Sequence, residues 1–358
     1  MKIGLLICGS LDTVSGGYYY DRRLVASLQE GGHAVEAISI PWRSYTSALA
    51  AGRACHLPPG LDLLIQDELA HPALLRANRP PHSYPLISLV HHLRSSEAHP
   101  KWLNFCYRLI EQAYLRSVDG FIFNSKTTQK AVQALAGEGA SALIAYPPTD
   151  RFRCTLSDAA VASRARQPGP LRLLFLGNII PRKGLHTLLF AISGLPANSV
   201  CLEVVGSLAA DPRYARRVQR QAAGLSGRAT ITFHGILDEH RLQEKLAQAH
   251  VMVVPSSYEG FGIVYLEGMA FGLPAIGTTA GAASEVITPA ENGYLVSPGD
   301  AVGLAAHLML LQMNRNLLAQ LSQQALESYT RWQPWCQTAE SIHQFLSGMV
   351  GCIETLLF

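Results

Sequence analysis

The stretch PSSYEGFGIVYLEGMAFGLP, residues 255–274, decides the fold class and says most about function. An apolar run at 251–254 precedes it, and a short apolar pair, Ala275 and Ile276, follows it. This pattern predicts a buried strand, an exposed turn, a helix and a second strand. In an open parallel sheet such a turn lies at the carboxyl end of its strand, where these sheets bind their ligands.

The predicted turn and helix offer groups suited to a phosphorylated sugar. A helix that begins near Phe261 would point free backbone N–H groups and its positive dipole end at a phosphate. A diphosphate has no need of carboxylates, so we interpret Glu259 and Glu267 as hydrogen-bond acceptors for sugar hydroxyls. The stretch therefore predicts a ligand that carries both phosphate and sugar. The structural alternative is an ordinary crossover with a glutamate capping its helix.

This stretch closely resembles the retaining glycosyltransferases of family 4, which have the GT-B fold. Glu259 and Glu267 occupy the two positions of the family's E-x7-E signature, and the FGIV between them also matches. The resemblance implies that Glu259 is catalytic and faces the donor sugar, and that Glu267 holds the ribose of the nucleotide. It also implies that the backbone amides of Phe261, Gly262 and Ile263 contact the diphosphate or the sugar.

The sequence GNIIPRKG at 177–184 predicts a second donor contact, a clamp for the diphosphate. Lysine suits a point-charge contact to phosphate, and arginine suits a bidentate contact. Lys183 matches the lysine of the family pattern, but Asn178 stands where the family has arginine. Either Arg182 replaces that arginine, or Asn178 donates a neutral hydrogen bond. A basic surface turn is the structural alternative.

Two glycines after the first predicted strand form another candidate site. Gly16 and Gly17 allow close backbone approach to a ligand, although an ordinary tight turn explains them equally well. The loop lacks G-x-G-x-x-G, so a nicotinamide-type site is poorly supported. The family resemblance implies that this loop faces the donor phosphates.

The sequence LVHH at 89–92 ends a further strand at the carboxyl edge of its sheet. The family often has Val-His-Asp here, which implies that His91 is a catalytic residue near the reacting sugar and the acceptor. His92 replaces the aspartate. A histidine could orient a substrate or transfer a proton near neutral pH, and a purely structural role is the alternative.

The order of elements predicts two domains in this chain of 358 residues. Strands alternate with helices, which indicates parallel sheets; we expect them at 3–8, 34–40, 61–66, 85–90, 120–124 and 142–145, and then at 171–177, 200–206, 229–234, 251–254, 274–278 and 293–296. The polar stretch 158–170 predicts a linker. We therefore expect an α/β fold of two doubly wound, Rossmann-like domains, which the GT-B fold places face to face across a cleft.

The resemblance assigns a role to each domain. Residues 1–168 would form an acceptor-binding domain and residues 169–330 a donor-binding domain. Residues 331–358 would form a helix that crosses back onto the first domain.

The amino-acid composition limits the classes of partner and cofactor that we expect for this protein. Hydrophobic residues make up 48% of the chain and the net charge is only +3, which predicts a globular protein that does not bind nucleic acid. The seven cysteines are scattered without a C-x-x-C spacing, which argues against disulfides and zinc. Asp-x-Asp is also missing, so we expect no metal and no cofactor. Without an apolar run of about 18 residues, the protein should be cytoplasmic, at most peripherally attached to a membrane.

A helix predicted within 97–116 offers one place for such attachment. Six side chains can share one face of this helix: Trp102, Phe105, Cys106, Leu109, Ala113 and Tyr114. The basic side chains beside that face are Lys101, Arg108 and Arg116. Packing of that face in the core is the commoner explanation, and contact with a membrane interface is the alternative.

Taken together, the resemblance implies a retaining, metal-independent hexosyltransferase that acts in glycan or glycolipid biosynthesis. Its donor would be a nucleoside-diphosphate sugar such as a UDP- or GDP-sugar, and the base stays open among uridine, guanosine and adenosine. The acceptor stays open between polysaccharide, lipid and small molecule. Two alternatives are a sugar-nucleotide-binding protein without turnover and another GT-B enzyme such as an epimerase.

Overall fold

The computed structural model describes residues 1–52, 55–79, 81–152 and 156–356, with side chains as far as Gly351. It divides the chain into two compact units, Met1–Pro148 with Gln333–Phe358 and Thr149–Trp332, which we call the first and second units. Residues 149–168, which we had placed in the first domain, therefore belong to the second unit.

The first unit is built on a parallel six-stranded sheet with the order β2-β1-β3-β4-β5-β6. Its central strands are buried along their whole length, because helices cover both faces of such a sheet. The strands are β1 Lys2–Cys8, β2 Ala34–Ile40, β3 Leu63–Asp67, β4 Leu86–Val90, β5 Gly120–Phe123 and β6 Ser141–Ile144, and the helices between them are α1 Gly16–Glu30, α2 Tyr45–Ala51, α3 His71–Leu74, α4 Lys101–Leu115 and α5 Lys126–Ala136.

The second unit repeats this architecture with the order β12-β11-β10-β7-β8-β9, again parallel. Its strands are β7 Leu171–Leu176, β8 Val200–Val205, β9 Thr230–Gly235, β10 Val251–Val253, β11 Ala275–Thr278 and β12 Gly293–Val296, and its helices are α6 Asp158–Arg166, α7 Leu185–Ser193, α8 Pro212–Ala223, α9 Glu239–Gln248, α10 Ile263–Met269, α11 Ala301–Met313 and α12 Arg315–Thr330. Each predicted strand is present, with its ends displaced by about two residues or fewer.

The last helix, α13 (Trp335–Leu356), belongs to the first unit. Trp335 and Ile342 are buried in the core formed by β1, β3 and α1. The ring of Trp335 meets the ring of Tyr20 edge to face, with 5.4 Å between their centroids.

The linker predicted at 158–170 is wrong for most of its length, because α6 occupies 158–166. The arginines that made this stretch look like a linker include a structural one. Arg164 is buried, and its guanidinium donates to the carbonyl oxygens of Phe271 at 2.7 Å and Gly272 at 3.0 Å. A polar side chain thus fixes α6 to the second unit, which also explains why that unit begins before residue 169.

The core packing expected for the apolar face of α4 is also wrong. Trp102, Phe105 and Leu109 are 70%, 62% and 50% exposed. Tyr114, which we had placed on the same face, is instead buried together with Tyr107, so the predicted face is not a single environment. In the part of the chain that the structure describes, we find no helix long and apolar enough to cross a membrane.

Candidate functional site

The loop after β7 approaches the end of β10 closely because of one glycine. Gly184 has the left-handed φ of 73°, and a Cβ atom there would lie 2.0 Å from the carbonyl oxygen of Pro255. The preceding residues Pro181–Lys183 form one turn of 3-10 helix. The sequence thus brings the predicted clamp directly beside the predicted signature turn.

Glu259 is the centre of a buried ionic cluster in this place. Lys183 Nζ lies 2.5 Å from Glu259 Oε1, and Arg182 Nη1 lies 3.7 Å from Glu259 Oε2. The hydroxyl of Ser256 donates to Glu259 Oε1 at 2.5 Å. Glu259 is only 4% exposed, so its carboxylate depends on these protein partners more than on water.

The charges in this cluster stabilise one another. Burial alone would raise the pKa of Glu259, but the charges of Lys183 and Arg182 outweigh it and lower the pKa to about 2. Burial lowers the pKa of Lys183, and Glu259 opposes that effect. We had interpreted Glu259 as an acceptor for sugar hydroxyls and Lys183 as a phosphate contact. The structure pairs the two side chains, so a ligand would have to share both of them.

The turn between the two glutamates presents backbone donors. Gly262 has φ 93° and precedes α10, and a Cβ atom there would lie 2.6 Å from the ring of Tyr265. Within the described residues, the N–H groups of Gly262 and Ile263 have no backbone or side-chain acceptor. Phe261 is buried against the ring of Trp332. The turn can therefore offer two amides to a ligand.

Glu267, expected to hold a ribose, contacts a residue that the sequence reasoning missed. Arg151 Nη1 donates to Glu267 Oε1 at 2.7 Å, and its guanidinium lies 4.8 Å from the ring centre of Phe152. Glu267 is 7% exposed. The only signal for Arg151 in the sequence is a lone arginine beside an aromatic residue.

The two candidates for the missing arginine of the clamp differ in their surroundings. Arg182 is engaged, since it also donates to the carbonyl oxygen of Tyr258 at 2.9 Å. Asn178 is half-buried, and in the described structure its side-chain amide has no partner. The choice between them stays a prediction.

His91, in the first unit, belongs to a second buried cluster. Its Nε2 lies 3.2 Å from Asp21 Oδ1, and its backbone N–H donates to Glu68 Oε2 at 2.9 Å. Asn124 donates to the His91 carbonyl at 2.8 Å. A Cβ atom on Gly17 would lie 3.4 Å from the His91 ring, so Gly17 lies against this histidine. Gly16 begins α1, which Ser15 caps.

Carboxylates govern the ionisation of this cluster. Burial opposes a charge on His91, but the hydrogen bond and charge of Asp21, with Asp67 and Glu68, raise its pKa to about 9. Burial and the charge of Asp21 raise the pKa of Asp67 to about 7. His91 is therefore an imidazolium at neutral pH, which suits it to donate hydrogen bonds rather than to accept a proton.

The same cluster has a composition that could hold a metal ion. Asp21, Asp67 and His91 each offer one ligand atom, and these atoms lie within 4.8 Å of one another. Oδ2 of Asp21 is buried without a hydrogen-bond partner in the described structure. A protonated His91 supplies the positive charge that these carboxylates need, and metal independence stays a prediction.

The comparisons with known proteins agree with this architecture. Residues 158–328 match the family model described as glycosyl transferases group 1. The chain is 27% identical over 251 residues to a glycogen synthase of Mycobacterium tuberculosis, a match that spans 66% of this chain and 56% of that protein. The chain thus spans about half the length of that relative.

Two solved structures share the fold over nearly the whole chain. A sucrose-phosphate synthase from Thermosynechococcus elongatus superposes with a TM-score of 0.82 at 22% identity, covering 98% of this chain and 100% of that one. Anabaena HepE, solved in complex with UDP-glucose, superposes with a TM-score of 0.74 at 19% identity, covering 97% and 100%. The predicted fold class, an α/β fold of the GT-B class, is confirmed.

The fold and the ionic site thus define a two-unit α/β protein of the GT-B class. Residues 158–328, a little less than half of the chain, match the group 1 glycosyltransferases, and the resemblance to family 4 is confirmed.

Proposed function

We propose that this protein is a retaining hexosyltransferase that moves a sugar from a nucleoside-diphosphate sugar to an acceptor hydroxyl without a metal ion. The observation that carries the proposal is the cluster of the buried Glu259 with the partly exposed Arg182 and Lys183, at the carboxyl ends of β7 and β10. Cations and a carboxylate at one point match a ligand that has both a diphosphate and sugar hydroxyls.

In this proposal the second unit binds the donor. Arg182 and Lys183 stabilise the negative charge that grows on the leaving diphosphate, the role that a divalent ion has in other enzymes. Glu259 orients the sugar; with its pKa lowered to about 2, it stays ionised and is not a proton donor. The acceptor oxygen bonds to the anomeric carbon as the bond to the diphosphate breaks, and the released phosphate takes the acceptor's proton.

Glu267, held by Arg151, accepts from the ribose hydroxyls. The amides of Gly262 and Ile263 donate to the diphosphate or the sugar, and Phe261 fixes their turn. Uridine diphosphate is the first nucleotide to test, because HepE, with the same fold, was solved with UDP-glucose. GDP is the second.

The first unit binds the acceptor, a polysaccharide, a lipid or a small molecule. His91, charged at neutral pH, donates a hydrogen bond to the reacting sugar or the acceptor. A role for Gly16 and Gly17 in donor binding stays a prediction.

The same unit supplies a surface for an anionic membrane. The exposed apolar face of α4, formed by Trp102, Phe105, Cys106, Leu109 and Ala113, is what we call the α4 face. The exposed charges of the helix and its end are all basic (Lys101, Arg108 and Arg116), since its one acidic residue, Glu111, is buried. Aromatic residues flanked by cations suit the interface of a bilayer with anionic lipids.

The test is a transfer assay with UDP-glucose, GDP-mannose and ADP-glucose, each offered oligosaccharides, a lipid extract and small polyols in EDTA. We expect release of one nucleoside diphosphate and a product that keeps the donor's anomeric configuration by proton NMR. Lys183→Met should abolish release. Lys245→Met, which breaks an ion pair to Glu203 elsewhere in the unit, should not.

Other outcomes support the alternatives. Nucleotide-sugar binding without release would favour a binding protein, and the unpartnered Asn178 is the feature consistent with that. An isomerised donor would favour an epimerase, and an inverted product would contradict retention.

A further inference from the structure

The first unit contains a cavity of about 540 Å³ that the proposed donor site does not use. It lies at the carboxyl ends of β1 to β4: Cys8 ends β1, Ile40 ends β2, Glu68 follows β3 and His92 follows β4. We call it the first-unit cavity. Its volume is within the range of small-molecule sites, and the carboxyl edge is where open α/β sheets bind ligands.

The wall of the first-unit cavity is mostly apolar. Its apolar side chains include Ile40, Pro41, Trp42, Tyr45, Ala48 and Pro72. Trp42 is 57% exposed, which is unusual for so large an apolar side chain. An apolar ligand body would cover this surface and remove it from water.

Two uncharged polar side chains of the wall, Tyr45 and His71, already have partners in the protein. The hydroxyl of Tyr45 lies 2.8 Å from His71 Nε2, and His71 Nδ1 lies 2.7 Å from the Glu68 carbonyl oxygen. Burial lowers the pKa of His71 to about 4, so this imidazole is neutral. A polyhydroxylated ligand would lose hydrogen bonds to water here and regain few, whereas an apolar body would lose none.

Two cations give the cavity an electrostatic preference. Arg94 stacks on Tyr45 and Tyr107, with 5.6 and 5.0 Å to the ring centres. Arg43 is exposed and makes no ion pair among the residues that the structure describes. The carboxylate of Glu97 is already shared by two imidazoles, at 3.0 and 3.6 Å. Burial and the charge of Asp67 raise the pKa of Glu68, the other carboxyl of the wall, which disfavours its charged form. The remaining charge favours an anionic group on the ligand.

We propose that the first-unit cavity binds an amphiphile, an apolar body that carries one anionic group, and that this amphiphile is the acceptor. The role of the amphiphile as the acceptor rests on the proposed function. Its structural support is Glu68, which lines the cavity and also accepts the backbone N–H of His91 at 2.9 Å. A ligand in the cavity is thus one residue away from the predicted catalytic histidine.

The first experiment uses 1-anilinonaphthalene-8-sulfonate, an aromatic body with a sulfonate, as a fluorescent probe. We expect saturable binding to the whole protein and displacement by decanoate at least tenfold more readily than by decanol, which lacks the charge. Ala48→Trp, which fills the cavity from α2, should abolish binding. Ala50→Trp, exposed on the same helix and not part of the wall, should not.

The outcomes separate the parts of the proposal. Equal probe binding by the Ala48→Trp and Ala50→Trp variants would overturn the cavity as the site. If Ala48→Trp unfolds, Trp42→Ala replaces it, with at least a tenfold loss expected and an unchanged affinity overturning the proposal. Equal displacement by decanoate and decanol would overturn the anionic preference.

A second experiment tests the role as acceptor. In the transfer assay, decanoate should raise the KM for the acceptor and leave the KM for the donor unchanged. An unchanged acceptor KM would overturn that role. Probe binding needs neither donor nor turnover, so a protein that bound the probe but no nucleotide would contradict the proposed function and leave the amphiphile site standing.

Discussion

Lys183 and Glu259 form a buried ion pair, 2.5 Å between Nζ and Oε1, that joins the loops after β7 and β10. The pair places a phosphate-binding cation and a sugar-binding carboxylate at one point before any ligand is present. Such preorganisation is what electrostatic stabilisation of a leaving group requires.

Breaking this pair should cost stability as well as activity. Lys183→Met leaves the buried carboxylate with Arg182 as its remaining cation, 3.7 Å away. We expect a loss of about 3–5 kcal/mol, as for other broken buried pairs. Because Glu259→Gln removes the orphaned charge, the double variant should recover most of that loss but no activity. Denaturant unfolding of the four proteins measures this coupling, and additive losses would contradict a coupled pair.

The pKa of His91 gives a pH dependence with a definite sign. A histidine whose pKa is raised from 6.5 to about 9 contributes stability below pH 6.5 that is lost as the pH rises through 9. We expect the difference in unfolding free energy between wild type and His91→Gln to shrink by roughly 3 kcal/mol over this window. A difference independent of pH between 6.5 and 9 would show that Asp21 does not hold His91 in its charged form.

Arg151 should strengthen nucleotide binding through its contact with Glu267. If Glu267 accepts from the ribose and Arg151 orients it, Arg151→Ala should weaken UDP binding about tenfold, or 1.4 kcal/mol. It should also reduce the preference for UDP over 2′-deoxy-UDP. Calorimetric titration measures both. Arg228→Ala is the matched control, since Arg228 donates to the carbonyl of Leu195 in the same unit. An unchanged preference in Arg151→Ala would mean that Arg151 has only a structural role.

The α4 face should bind vesicles that contain anionic lipid. Replacing Trp102, Phe105 and Leu109 by serine should abolish co-sedimentation with such vesicles, and high salt should weaken it because the flanking charges are basic. The control replaces Val302, Leu310 and Met313, which are also exposed apolar residues, on α11. Equal loss in both variants, or equal binding to neutral vesicles, would argue against an anionic membrane as the partner.

The sequence predicts the elements of this fold well, because apolar strands that alternate with helices have few other arrangements. It failed where single residues depart from their usual environment. Arg164, counted as a linker residue, is buried because carbonyl oxygens satisfy its guanidinium. Trp102 and Phe105, expected in the core, are exposed, since periodicity shows that residues share a face but not what covers it.

The sequence predicted which residues form the site better than it predicted the contacts between them. Glu259, Lys183 and Arg182 were each selected from sequence, and the structure brings the three together. That Glu259 and Lys183 bind each other depends on Gly184, whose close approach to Pro255 a sequence pattern does not display. Arg151 escaped notice because its partner lies 116 positions along the chain.

The most direct test of the central claim is the thermal stability of the protein with UDP, GDP and ADP, each at about 100 times its expected dissociation constant. We predict that one nucleotide stabilises the wild type by about 2.7 kcal/mol and that the Lys183→Met variant does not respond. If no nucleotide stabilises the wild type, or if Lys183→Met responds equally, the cluster of Arg182, Lys183 and Glu259 is not a donor site.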